Sequence, residues 1–237
     1  LVTGQTEPGA KVWLNDKAIR VGEKGQFLFG FGRDYKEVAK LRVELPAGDE
    51  VLKTLKIAKR TYKTERVDGL PPSKVTPSEA FYKRIRTENA EIARIRAIDT
   101  VEYWFESGWV WPTKGRVSGV YGSQRILNGV PKRPHFGLDV AAPVGTDVIA
   151  STDGVVRMAE KDLYYTGGTI MIDHGFGLVS VYSHLSALSV KAGDFVRQGG
   201  KIGEVGSTGR SSGPHLDWRL NWFKERLDPE LLLRAPE

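Results

Sequence analysis

Gly206-Ser207-Thr208-Gly209-Arg210-Ser211-Ser212-Gly213-Pro214-His215-Leu216-Asp217-Trp218-Arg219-Leu220 is the stretch that decides the fold of this chain. Its glycines mark a turn, and the run Leu216–Asn221 that follows has the character of a strand. Residues two apart on a strand point to the same face, roughly 7 Å apart along the backbone. His215 and Asp217 therefore face one site, and Leu216 faces the other way. Similar short runs precede it at Gly115–Gly122, Asp147–Ala150, Gly154–Ala159, Gly168–Asp173, Leu178–Ser183 and Ile202–Val205, separated by glycine-containing turns. The second half of the chain reads as a mostly antiparallel β domain over 104–237.

The chain has four histidines, His135, His174, His184 and His215, and no cysteine. A metal would have to sit on His, Asp or Glu. His135 and Asp139 lie four apart in Arg133-Pro134-His135-Phe136-Gly137-Leu138-Asp139. On an ideal strand that spacing spans roughly 13 Å, too far for one ion. Pro134 and Gly137 argue against a helix, so the pair needs a chain that bends at Gly137. His184 stands at the end of the strand in Val181-Tyr182-Ser183-His184-Leu185. Taken singly, each of these motifs also fits a surface or packed histidine. His174, in the turn Asp173-His174-Gly175-Phe176-Gly177, needs no special purpose.

Upstream, residues 1–60 read as a small β module. Runs at Lys11–Leu14, Ala18–Val21, Gln26–Gly30, Lys40–Leu45 and Val51–Ala58 are divided by Pro8-Gly9, Asn15-Asp16, Gly22 to Gly25 and Ala47-Gly48-Asp49. No ionisable cluster there suggests chemistry, so a spacer or docking role is expected. Residues 61–103 form a linker, containing Gly69-Leu70-Pro71-Pro72, and then a helix over about 77–99. Thr76, Pro77 and Glu79 predict a capping box. Phe81, Ile85, Ile92 and Ile95 recur at helical spacing, which predicts an amphipathic helix packed in cis on the following domain.

Composition sets the class. Apolar residues make up 40% and charged residues 27% of 237, as in folded globular proteins, and no stretch has the length of a membrane span. A net charge of +6 suits a polyanionic partner. The basic residues are interleaved with acids, however, which disfavours nucleic acid. The chain starts at Leu1 without an initiator Met, so a leader, if there is one, is not visible.

Taken in order, the motifs resemble the lysostaphin-type (LytM-like) zinc metallopeptidases. The resemblance runs over about Gly115–Asn221 and rests on Gly137-Leu138-Asp139-Val140-Ala141-Ala142-Pro143, Asp153-Gly154-Val155-Val156, Tyr182-Ser183-His184-Leu185, Gly193-Asp194-Phe195-Val196-Arg197-Gln198-Gly199 and Gly206 to Leu216. It implies a mainly β fold: an antiparallel β catalytic domain, preceded here by one linking helix and a small sandwich whose Glu7–Phe27 run resembles bacterial immunoglobulin-like modules. It also implies zinc, bacterial peptidoglycan stem or cross-bridge peptides as substrate, and a location in the cell envelope, periplasmic or extracellular. Residue by residue, His135 and Asp139 match two zinc ligands, and His184 and His215 match the catalytic histidine pair. The family's third ligand is a histidine, and here that position is Asp217. One His and two carboxylates would cancel the charge of zinc, so metal binding and hydrolysis are expected to be weaker than in a standard member. Three other readings remain open. The chain can be a weakened or inactive member that binds the wall or activates another wall hydrolase, or a wall-binding module without metal. A lipoyl-type carrier is suggested only by Val190 to Glu204.

Overall fold

The computed structural model describes residues 1–69 and 76–233. The Leu70-Pro71-Pro72 part of the expected linker lies outside the described residues. In the N-terminal part, β1 (Val2–Gln5) pairs with β4 (Gln26–Phe29). A second sheet takes the order β3-β2-β5-β6, from β2 (Lys11–Leu14), β3 (Lys17–Ile19), β5 (Val38–Glu44) and β6 (Glu50–Lys56). The turn between β2 and β3 places Asn15 and Asp16 at φ 48° and 65°, a conformation these two side chains tolerate. The sequence pattern missed β1. It contains Gly4, over which the Phe27 ring lies so closely that a Cβ would come within 2.3 Å of it.

Part of the linker is itself a strand. β7 (Thr64–Val67) runs parallel to β9 (Gln124–Leu127), which also pairs with β10 (Val130–Pro131). An extended segment beside an open strand edge satisfies its backbone groups by joining it.

The single α-helix of the described residues, α1 (Glu79–Arg96), starts later than the capping box predicts. Its N-cap is Ser78, extended at ψ 158°, with no side-chain capping bond. Pro77 thus belongs to the entry segment rather than the first turn, and Thr76 is too far out to cap. Three of the four periodic residues face the sheet as their spacing predicts, while Phe81, near the exposed start of the helix, stays 42% exposed. Ile85 and Ile95 are buried, and Ile92 and Ile95 pack against Met158, Leu163, Met171, Val179 and Val181.

The large sheet joins β8 (Arg116–Gly119), β11 (Leu138–Ala141), β13 (Gly154–Leu163), β14 (Gly167–Asp173), β15 (Leu178–Leu185), β17 (Phe195–Val196), β19 (His215–Trp222) and β20 (Glu225–Leu227). The order is β17-β13-β14-β15-β19-β11-β8, with β20 on β19, and every pairing is antiparallel. A small sheet of β12 (Asp147–Ile149), β18 (Lys201–Glu204) and β16 (Ala187–Leu188) packs against one end.

Both faces of the large sheet are covered, which explains why β15 is buried along its whole length. On one face Leu138, Tyr182, Leu216 and Trp218 meet Val148 and Ile202 of the small sheet. On the same face Leu178, Leu220 and Trp222 share a core with Phe27, Phe29, Val12 and Val43 of the N-terminal sheets. The opposite face carries Val179 and Val181 under α1, and beyond the helix it carries the polar residues described next. A register shift between Val156 and Met158 turns Met158 to the helix side.

Candidate active site

The site lies on the helix face of the sheet, where strand alternation and two backbone irregularities bring distant residues together. Asp139 and Asp217 are direct cross-strand partners in β11 and β19. Ser183 pairs with Asp217 from the other side. His135 lies before β11 and turns back through Phe136-Gly137, so its Nε2 comes 2.9 Å from Asp139 Oδ1. The bend at Gly137 is also a matter of room: a Cβ there would come within 2.2 Å of Asp217 Oδ1. Gly119 leaves the same kind of space beside Asp139, at 2.3 Å from Oδ2.

His184 reaches the site through a bulge. Between the Gly168–Leu185 and Ile170–Tyr182 pairs, β15 holds one residue more than β14. His184 takes up that extra length at φ 67°, a left-handed conformation unusual for a non-glycine side chain. Its amide donates to Thr166 O at 2.8 Å and its Nδ1 donates to Thr208 O at 2.8 Å. His215 Nδ1 likewise donates to Gly213 O at 2.8 Å. A carbonyl only accepts, so each Nδ1 carries the proton and each Nε2 is left free to accept one. The two rings stand 4.7 Å apart between centroids, and His215 Nε2 lies 3.9 Å from Asp139 Oδ1. Burial pushes the His184 imidazole below its ordinary value, against the opposing pull of Asp217.

Arginines brace both carboxylates. Arg125, on β9, donates to Asp139 Oδ2 at 2.9 Å, and Glu65 of the linker strand lies 3.8 Å from Arg125. Arg219 grips both oxygens of Asp217, with Nε at 2.9 Å from Oδ1 and 3.1 Å from Oδ2, and a further bond from a terminal nitrogen. Burial pushes the Asp217 carboxyl up, but Arg219 and His135 outweigh it and hold it well below the usual range. Arg219 follows Asp217 by two, so strand alternation alone puts it on the same face. No comparable signal marked Arg125.

The donor set suits a divalent cation. Ligand atoms of His135, Asp139 and Asp217 all lie within 4.8 Å of one another. His135 Nε2 and Asp139 Oδ1 are buried and make no hydrogen bond, as expected of donors aimed at a common ion. Asp217 differs because Arg219 already occupies lone pairs on both of its oxygens. His174 takes no part. It is fully buried, and its ring nitrogens meet Asp153 O at 2.6 Å and Ser180 Oγ at 2.7 Å. Burial pushes this imidazole down to about 4.

Residues 133–229, which hold the bent His-Asp pair, the cross-strand carboxylate and the two histidines tied by Nδ1, match the profile of peptidase family M23. This part of the chain is an M23 peptidase domain. Over 110 residues it is 44% identical to the peptidoglycan DD-endopeptidase ShyA of Vibrio cholerae, covering 46% of this chain and 25% of that protein. Over 106 residues it is 45% identical to the DD-carboxypeptidase/endopeptidase Mpg of Neisseria meningitidis, covering 44% and 24%. The matched segment thus spans about a quarter of the length of these relatives. A crystal structure of a peptidase M23 candidate from Pseudomonas aeruginosa superposes with a TM-score of 0.73 at 27% identity, covering 97% of this chain and 90% of that one. That likeness extends beyond the M23 domain to α1 and the N-terminal sheets.

Proposed function

We propose that the chain is a zinc-dependent endopeptidase that hydrolyses peptide bonds in the stem peptides or cross-bridges of bacterial peptidoglycan. The observation that carries this reading is the pair of buried atoms His135 Nε2 and Asp139 Oδ1, 2.9 Å apart and without a hydrogen bond, facing the free Nε2 side of His184 and His215. The name of ShyA as a peptidoglycan DD-endopeptidase supports the substrate class, that of Mpg as a DD-carboxypeptidase/endopeptidase supports the reaction, and an envelope location follows from that substrate. No helix among the described residues is long and apolar enough to cross a membrane.

In this reading His135, Asp139 and Asp217 hold the metal. Bound zinc supplies Lewis acidity, which polarises a carbonyl and lowers the pKa of water. One of His184 and His215 accepts the proton of the attacking water through Nε2. The other, in its imidazolium form with a second proton on Nε2, donates to the oxygen on which negative charge develops. The Nδ1–carbonyl bonds fix both tautomers before substrate arrives. Arg219 has the opposite effect on the metal, because it has already neutralised Asp217.

A second reading has one observation in its favour. The Asp217–Arg219 pair satisfies the third position without an ion, as a binding or hydrolase-activating relative would require. Metal content of the purified chain, measured beside wall digestion with and without added zinc and chelator, separates the two. Stoichiometric metal with chelator-sensitive release of wall peptides is expected. No metal and no digestion, even with zinc supplied, would transfer support to the binding or activating role.

A further inference from the structure

The face that carries Asp217 continues along β19 to Arg219 and Asn221, and the pairing of Asn221 with Arg226 puts Arg226 on the same face. Arg226 donates to Asn221 Oδ1 at 2.7 Å. Arg96, in the last turn of α1, follows Ile95, which packs on Val179 and Val181, the cross-strand partners of Asn221 and Arg219, so the helix end lies over this part of β19, and the charge of Arg96 bears on Arg226. Among the described residues, Asp217 is the one carboxylate hydrogen-bonded to any of Arg96, Arg219 and Arg226, and Arg219 already engages both of its oxygens. Glu225 attracts Arg96 only at a distance.

The consequence is most visible at Arg96. Its Nε and one terminal nitrogen are buried and have no hydrogen-bond partner. A guanidinium withdrawn from water without an acceptor is costly, more so beside two like charges. Burial and these neighbouring arginines push the Arg226 guanidinium down to about 9. Arg219 keeps 26% of its side chain exposed while Asp217 keeps 3%, so the arginine presents the outer surface of that pair. What such a floor lacks is an anion, and the planar fork of a guanidinium matches a carboxylate.

We propose that Arg96, Arg219 and Arg226 form a binding site for a carboxylate of the peptide substrate, next to the metal-fitting residues on the same sheet face. The choice of a peptide carboxylate as ligand rests on the endopeptidase reading; the need for an anion does not. Asp217 then has a second role, holding Arg219 in position.

The test uses acetyl-D-alanyl-D-alanine and its C-terminal amide, titrated calorimetrically into the full chain with chelator present, so that neither metal nor turnover contributes. The free acid is expected to bind at least about tenfold more tightly than the amide, the scale of one charge-assisted hydrogen bond. In Arg96→Gln and Arg226→Gln that preference should shrink to about threefold or less. The Arg96→Gln chain should also melt no lower than the parent, since the cation removed had no partner; if Arg226→Gln does not fold, Arg96→Gln decides alone. Equal or undetectable binding of acid and amide by the parent overturns the proposal. So does a preference that survives in Arg96→Gln, or a large loss of melting temperature there, which would mark a structural arginine. If zinc-supplied wall digestion fails while the acid preference persists, the carboxylate site stands and only the hydrolase reading falls.

Discussion

Single residues decide how strongly this site can hold an ion. Replacing Asp217 by His restores the nitrogen donor that the family resemblance leads one to expect, and it removes the carboxylate that Arg219 neutralises. Zinc binding by Asp217→His should tighten by about tenfold or more, the scale of one lost competing charge-assisted bond, with a parallel gain in wall digestion. Stability should fall at the same time, because Arg219 loses its partner. A broken buried pair costs about 3–5 kcal/mol. The 26% exposure of Arg219 reduces that to about 1–3 kcal/mol. Calorimetry with zinc and a urea melt read the two effects separately, and unchanged zinc affinity would show that position 217 does not touch the metal. His174 gives a different signal. The folded imidazole titrates near 4 against 6.5 for the free group. The unfolded chain therefore takes up the proton first. Stability should be constant above about pH 6.5 and should fall as pH drops from there to about 4, by about 3 kcal/mol in all. Urea midpoints across that range should lose this slope in His174→Gln.

At the scale of elements, the helix and the bulge do work that composition does not reveal. Helix α1 covers the part of the sheet face next to the site and brings Arg96 to it. Ile95 is fully buried at the centre of that contact. Ile95→Ala should cost about 2–5 kcal/mol in a urea melt, and should weaken carboxylate binding by displacing Arg96. An unaltered melt would mean that α1 is not docked as described. The helix also touches the tip of the β13–β14 hairpin, where Glu88 accepts from Tyr164 N at 2.9 Å and Phe81 packs on Tyr164 at 4.9 Å. That hairpin supplies Thr166 O, which holds the bulged His184 backbone. The periodicity of Ile85, Ile92 and Ile95 was enough to predict the helix and its packing in cis. The bulge at His184 and the parallel β7–β9 pair had no such pattern, because each depends on what a distant strand offers.

For the molecule as a whole, the N-terminal sheets are joined to the peptidase sheet by one continuous core. Phe29 is 1% exposed and belongs to the cluster that contains Leu178, Leu220, Trp222 and Leu227. Across the same junction Arg60 pairs with the buried Asp228 at 2.8 Å, and Arg33 donates to Gly122 O at 2.7 Å. A spacer would not need such a contact. Phe29→Ala should therefore lower the unfolding midpoint of the whole chain, by about 3–5 kcal/mol. Tryptophan fluorescence, to which Trp13 of the N-terminal sheet and Trp218 and Trp222 of the large sheet contribute, should shift together with far-ultraviolet circular dichroism in one transition. Two separate transitions would show that the two parts fold independently.

The sequence alone determined what each element is made of. Alternation in Leu216–Asn221 and its neighbours implied strands, the isoleucine period implied a helix, and the presence of His135, Asp139, His184 and His215 without any cysteine restricted the chemistry to nitrogen and oxygen donors. These are local properties, set by periods of two and 3.6 residues and by side-chain chemistry. Only the tertiary structure decided that His135 bends back to Asp139, that a bulge turns His184 inward, and that Arg219 and Arg125 neutralise the two carboxylates. It also decided that Arg96 ends in a buried place without a partner. Those outcomes depend on contacts between segments tens of residues apart, and their energies exist only once the strands are in register.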